Sequence, residues 1–197
     1  MRNSIRTSLL LLPLIALVAF APKGRSIDIA KSKVTWHASK VTGSHDGNVS
    51  IKSGKLEMKG DELAAVEVVM DMTSITCTDI TSEASNAKLV NHLKSADFFD
   101  VENHPTATFK STSIKKGEQN EKGSIIHIIT GDLTIKGITQ PVTFDARYII
   151  ADQRYTGTLT FDRTKYDIKY RSGAFFPEIG DKMIYDEVRL DLDIRTK

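Results

Sequence analysis

The side chains in this chain best suited to metal ligation or nucleophilic attack are five histidines, His37, His45, His92, His104 and His127, and one cysteine, Cys77. No two histidines stand at the close helix or strand spacing that brings paired ligands together, and none has a cysteine or glutamate beside it in a ligand pattern. The linear sequence therefore nominates no metal site. His92 and Asp97 flank a helix end, where their pairing would orient a local turn. Ser111-Thr112-Ser113 falls on an extended segment without a neighbouring base, and no G-x-S-x-G, H-E-x-x-H, P-loop or G-x-G-x-x-G pattern occurs. These absences lead to the expectation of no catalytic residue, no cofactor and a protein that is not an enzyme. Cys77, being single, has no intramolecular partner, so the fold must be held by its core alone; it reads as a small side chain near a strand end.

The elements that position these residues begin after a distinct leader. Arg2 and Arg6 precede the apolar run Leu9 to Ala21, which ends in the small-x-small triplet Ala19-Phe20-Ala21. This is the pattern of a secretory signal peptide. The run is shorter than the roughly 20 residues of a membrane span and is interrupted by Pro13, so no stable membrane anchor is expected. Pro22 makes cleavage directly after Ala21 awkward; the signal segment is taken as residues 1–25 and the domain as 26–197. Periplasmic or secreted localisation follows. Removing Arg2 and Arg6 leaves 25 basic against 25 acidic residues, and removing all of residues 1–25 leaves 23 against 25. Such a neutral chain lacks the basic excess that nucleic-acid or polybasic membrane binding requires. An oligomer is compatible with the sequence but nothing indicates one.

From there the apolar residues recur with period two, the mark of strands with one buried and one wet face. Val34, Trp36 and Ala38 open the series; Val49 and Ile51 follow a turn expected at Ser44-His45-Asp46-Gly47. Leu56 and Met58 come next, with a bulge or tight turn at Gly54, then Val66, Val68, Met70 and Met72. Ala107 and Phe109, then Ile125 to Ile135, then Val142 to Tyr148 repeat the pattern, with a hairpin at Lys136-Gly137. Tyr155, Leu159 and Phe161 precede the closing strand Val188 to Ile194. Only Ser82 to Asp100 breaks the period, with Ala87, Val90, Leu93 and Lys94 on helical spacing and Ser85 or Asn86 as caps. Even strand spacing with one short helix predicts a mainly β fold, a lipocalin-like antiparallel β-barrel of about eight strands, because closure removes exposed edges.

The inward set of such a barrel would be Val34, Trp36, Val66, Val68, Met70, Phe109, Phe144, Tyr148 and Phe161. Two readings stand side by side, a packed core and an apolar pocket. Asp162 to Asp186 is a long aromatic and charged connection that reads either as a lid, with Phe175 and Phe176 packed inward, or as a surface loop.

Three segments carry a specific resemblance: His92-Leu93-Lys94-Ser95-Ala96-Asp97-Phe98-Phe99-Asp100, then His104 to Thr112, then Gly131-Asp132-Leu133-Thr134-Ile135-Lys136-Gly137 through Thr143. In order and spacing they resemble the YceI-like family, from about Ile27 to the C-terminus. The resemblance implies an extended barrel around an elongated apolar pocket, in exported bacterial proteins that bind polyisoprenoids or related long-chain amphiphiles. It also implies that Phe98, Phe99 and Phe109 stand at the pocket wall or mouth. The connection Tyr166 to Asp186, with its Ser-Gly-Ala-Phe-Phe-Pro loop, departs from the better-known members of that family.

The resulting expectation is a non-enzymatic carrier whose partner is an isoprenoid or acyl-chain lipid. The pocket set is Trp36, Val66, Val68, Met70, Phe98, Phe99, Phe109, Phe144, Tyr148 and Phe161. One rival is a stress or assembly factor that uses the barrel as a scaffold for protein contacts. The other is an enzyme acting on a bound lipid or quinone, which would need ionisable groups converging inside, where His127 and Tyr148 are the main candidates.

Overall fold

β-Branched and aromatic residues at alternate positions fit a pleated, half-buried surface, and among the described residues they fold as nine strands. The computed structural model describes residues 23–59, 62–119 and 123–197. The signal segment expected over residues 1–25 lies outside the described residues except for its last three positions. The strands are β1 (Lys23–Ser26), β2 (Lys33–Lys40), β3 (Gly43–Lys59), β4 (Glu62–Asp71), β5 (Thr106–Gln119), β6 (Ser124–Ile135), β7 (Ile138–Ile149), β8 (Arg154–Asp162) and β9 (Ile184–Arg195). Among the described residues one α-helix, α1 (Glu83–Lys94), crosses between β4 and β5.

Every pairing between named strands is antiparallel, and β2 to β9 form a closed ring of eight. The long β3 makes closure possible: Gly43 to Val49 pair with β2, and Ser50 to Lys59 pair with β4. Beyond the end of β2, β1 takes over beside β3, and the Ile27–Thr196 bridge joins it to the end of β9. Pairing is extensive except at two seams. β7 and β8 pair only from Ala146–Gly157 to Ile149–Arg154, and β4 meets β5 only through Glu67 to Asp71.

The Lys136-Gly137 hairpin is present as expected. Both residues have positive φ, 51° and 72°, which matches the strand twist in a two-residue turn. The turn expected at Ser44 to Gly47 is instead strand: the chain reverses at Val41-Thr42, and Gly47 pairs with Trp36. A Cβ on Gly47 would lie 1.8 Å from the Thr76 carbonyl oxygen and 2.6 Å from the Trp36 ring, so glycine serves close approach and not reversal. At Gly54 the register shift lies just upstream, between Ile51 and Ser53, and the missing Cβ makes room for Ile27. The cap of α1 is Ser82, whose Oγ accepts from the Ser85 N–H at 3.5 Å. Asn86 instead donates its side-chain amide to the Cys77 and Ile80 carbonyls, tying the helix to the preceding loop.

Two clusters of buried residues fill the two ends of the barrel. One is built on Phe98, Leu133, Phe161, Tyr166 and Ile168, the other on Ile27, Leu56, Met58, Tyr148 and Tyr155. Val49, Met70, Phe109, Phe144, Leu190 and Leu192 pack against both and are themselves only partly buried. They form the waist of the barrel, and the surface they leave uncovered faces inward.

Candidate functional site

The waist residues line an interior cavity of about 200 Å³. Its wall is almost wholly apolar and is drawn from every strand of the ring. Of the ten residues expected there, Trp36, Val66, Val68, Met70, Phe98, Phe99, Phe109, Phe144 and Phe161 line it and Tyr148 does not. Of the two interior readings, the pocket is the one the structure shows.

Inward glycines keep this space open. Gly131 sits on the inner face of β6, where a Cβ would lie 2.5 Å from the Phe109 ring. The Phe109 ring thus lies over the Gly131 backbone instead of projecting across the lumen, and it meets Phe144 edge-on at a centroid distance of 5.5 Å. The Trp36 ring lies over Gly47 in the same way, and its indole N–H donates to the Thr76 carbonyl at 3.0 Å. Both pairs place large rings flat against the wall.

The upper end is closed by α1 and the two long connections. Leu93, Phe98 and Phe99 line the cavity, and the Phe98 ring stands 4.9 Å from His92 and 5.3 Å from Tyr170. The expected His92–Asp97 pair is formed at 2.9 Å. From the later connection, Ile168 and Ile184 face the cavity, whereas Phe175 and Phe176 are about half exposed and do not line it. Of the two readings of this connection, the lid with that pair packed inward is not what forms: the end is covered by Ile168 and the fully buried Tyr166, and Phe175 and Phe176 stay on the surface. Burial pushes the Tyr166 phenol up to about 12.

This connection is fastened by Arg163, a cation the apolar pattern had passed over. It is 2% exposed and donates to the carbonyls of Tyr185 (3.1 Å), Ile168 (2.8 Å) and Ile184 (3.0 Å), with Asp186 at 3.0 Å. Its polar atoms are spoken for by the loop they hold, although its side chain borders the lumen.

At the lower end Tyr148 stacks on Tyr155 at 4.4 Å, and Arg25 donates to the Tyr148 hydroxyl at 3.2 Å. Tyr148 points inward as its register requires, but it lies beyond the floor of the cavity, with Tyr155 between. His127 is buried near Tyr155, and burial holds its imidazole below the ordinary value. Its Nδ1 has no hydrogen-bond partner among the described residues. Neither His127 nor Tyr148 reaches the cavity, so the two candidates for interior acid–base work do not converge on a bound molecule. Burial likewise pushes the Cys77 thiol up, away from the reactive thiolate a nucleophile needs.

A closed eight-stranded barrel with an apolar lumen defines a lipocalin-like architecture. The YceI-like domain model matches residues 26–196, and the chain belongs to the YceI-like family. Protein YceI of Escherichia coli O157:H7 is 40% identical over 80 residues, which is 40% of this chain and 38% of that protein. A UPF0312 protein of Ectopseudomonas mendocina is 40% identical over 76 residues, 39% of this chain and 37% of the relative. The matched stretch thus spans well under half the length of these curated relatives. Among solved structures, Burkholderia cenocepacia BcnA shares the fold at a TM-score of 0.60 and 22% identity, over 85% of this chain and 98% of that one. A polyisoprenoid binding domain from Saccharophagus degradans, implicated in plant cell wall breakdown, superposes at a TM-score of 0.58 and 14% identity, over 86% of this chain and 95% of the other.

Proposed function

We propose that this protein is an exported, non-enzymatic carrier that binds a polyisoprenoid or other long-chain amphiphile in the barrel. The observation that carries this reading is the apolar cavity running between the two end clusters. Family membership supports it, as does the likeness of fold to a polyisoprenoid binding domain. Burying one methylene contributes about 0.8 kcal/mol, so a chain of several carbons gains useful affinity without any special polar group. Export fits the chemistry, because a water-insoluble chain needs a carrier across an aqueous compartment.

The empty space of about 200 Å³ is smaller than a drug-sized pocket of roughly 300 Å³ or more. A long chain therefore enters only as lining side chains swing aside. Met70 and Met72, unbranched and adaptable, are the residues on the wall best able to do so.

The test is native mass spectrometry of the protein isolated from its own host, with extraction of any co-purifying lipid. A stoichiometric isoprenoid or fatty-acyl species is expected, on a chain whose N-terminus has lost the leader. A protein that arrives empty and takes up neither prenyl nor acyl chains when offered them would overturn the reading. In that event the half-exposed Phe175 and Phe176 would mark the scaffold alternative, as a surface for another protein.

A further inference from the structure

At the rim of the barrel, beyond the residues that line the cavity, three different metal-ligating side chains meet. His45 on β3 and Cys77 and Asp79 on the loop between β4 and α1 bring an imidazole nitrogen, a thiol sulfur and a carboxylate oxygen within 4.8 Å of one another. His45 Nδ1 lies 2.8 Å from Asp79 Oδ2, and the Cys77 thiol lies 3.1 Å from Asp79 Oδ1. Cys77 is buried, forming the floor, whereas the His45 and Asp79 side chains remain about one-third exposed, so the cluster opens to solvent on one side.

We propose that His45, Cys77 and Asp79 form a surface site for a zinc-class divalent cation, with solvent completing the coordination. Nitrogen, sulfur and oxygen donors together suit a borderline-soft ion better than a hard one. Bonds of about 2.0–2.3 Å in tetrahedral array place ligand atoms roughly 3.3–3.7 Å apart, so each hydrogen-bonded pair seen here needs to part by only about half an ångström. On binding, the thiol proton leaves to solvent, His45 carries its remaining proton on Nε2, and the thiolate and carboxylate balance the two positive charges. No redox change is involved.

The chain's own contacts order the platform. Thr76 and Thr78 donate their backbone N–H groups to the Asn48 and Asp46 carbonyls, and Asp79 Oδ1 accepts from the Asp46 N–H at 3.0 Å. Gly47 lets the loop come this close to β3, since any Cβ there would strike the Thr76 carbonyl.

Cobalt(II) is the probe, titrated into the chelator-stripped full chain kept reduced with a phosphine. The expected result is one equivalent bound per monomer, a near-ultraviolet sulfur-to-cobalt charge-transfer band, and displacement by zinc. The band disappears in Cys77→Ser. Cobalt affinity falls by at least about tenfold in His45→Gln, a substitution at an exposed edge that keeps a hydrogen-bonding side chain. Near-ultraviolet circular dichroism confirms that each variant is folded. The assignment is overturned by a titration without the band, by a band that survives Cys77→Ser, or by a band that appears only when two chains associate.

Discussion

Arg163 concentrates more polar partners than any other buried side chain in the upper half of the barrel. Replacing it with methionine keeps the bulk but leaves the carbonyls of Tyr185, Ile168 and Ile184 without their donor and the Asp186 carboxylate without its ion-pair partner. Removing one partner of a buried pair costs about 3–5 kcal/mol. Urea denaturation of Arg163→Met is expected to show a loss toward the lower end of that range, because Asp186 keeps some contact with solvent. His127 sets a pH dependence of known sign. Its folded pKa is held down by burial, so on acidification the unfolded chain takes the proton first. Its contribution is present above about pH 6.5 and is lost as the pH falls below that value. Urea midpoints at pH 7.5 and pH 5.5 should differ less in His127→Leu than in the parent chain. At this scale the sequence was legible as to side but not as to height. Alternation puts Tyr148 on the inner face correctly, yet period two carries no information on depth along the barrel axis, and Tyr155 separates it from the lumen. Nor could linear spacing show that His45 meets Cys77 and Asp79, since a strand and a loop from different parts of the chain bring them together.

Among the elements, the two seams are where the wall is weakest. In the two-residue hairpin Ile135 pairs with Ile138, so Thr139, Pro141, Thr143 and Asp145 direct their backbone N positions away from β6 and toward β8. Pairing with β8 stops at Ala146, and Pro141, which has no N–H to offer, sits where no strand would receive one. Hydrogen exchange should therefore find Thr139, Thr143 and Asp145 exchanging early and the β6–β7 ladder late; equal protection on both edges of β7 would contradict this picture. Gly131→Ala makes a second prediction for the strands. The added methyl meets Phe109 and the Lys110 carbonyl, so a loss of about 1–3 kcal/mol by overpacking is expected, together with weaker uptake of apolar chains as the ring is pushed into the lumen. The strands were readable because each buries one face, and the helix because its spacing breaks the period of two, although none of its residues is buried. The turn at Ser44 to Gly47 was misread because a glycine among polar residues looks the same whether it reverses a chain or admits a neighbouring ring, and that difference lies in Trp36 and Thr76.

The whole molecule is a wall around a gap, and filling the gap separates binding from folding. Val68→Trp, on the cavity wall, should leave a folded barrel that has lost at least about tenfold in affinity for a prenyl or acyl chain, read by competition with a fluorescent lipid. Unchanged uptake would place the ligand elsewhere. Closure was legible from even strand spacing, while the size of the lumen was not, because composition counts apolar residues without saying which lie flat on glycine. No helix among the described residues is long and apolar enough to cross a membrane. A last consequence follows from the place of Trp36, the chain's one tryptophan. Its ring faces the cavity while its indole N–H holds Thr76, the residue next to Cys77. Excited at its red edge, the protein carries its own optical gauge: a lipid entering the lumen changes the indole's surroundings, and an ion drawing on the loop at the rim changes its hydrogen bond. Emission from a single residue thus reports on both lumen and rim, with no label attached.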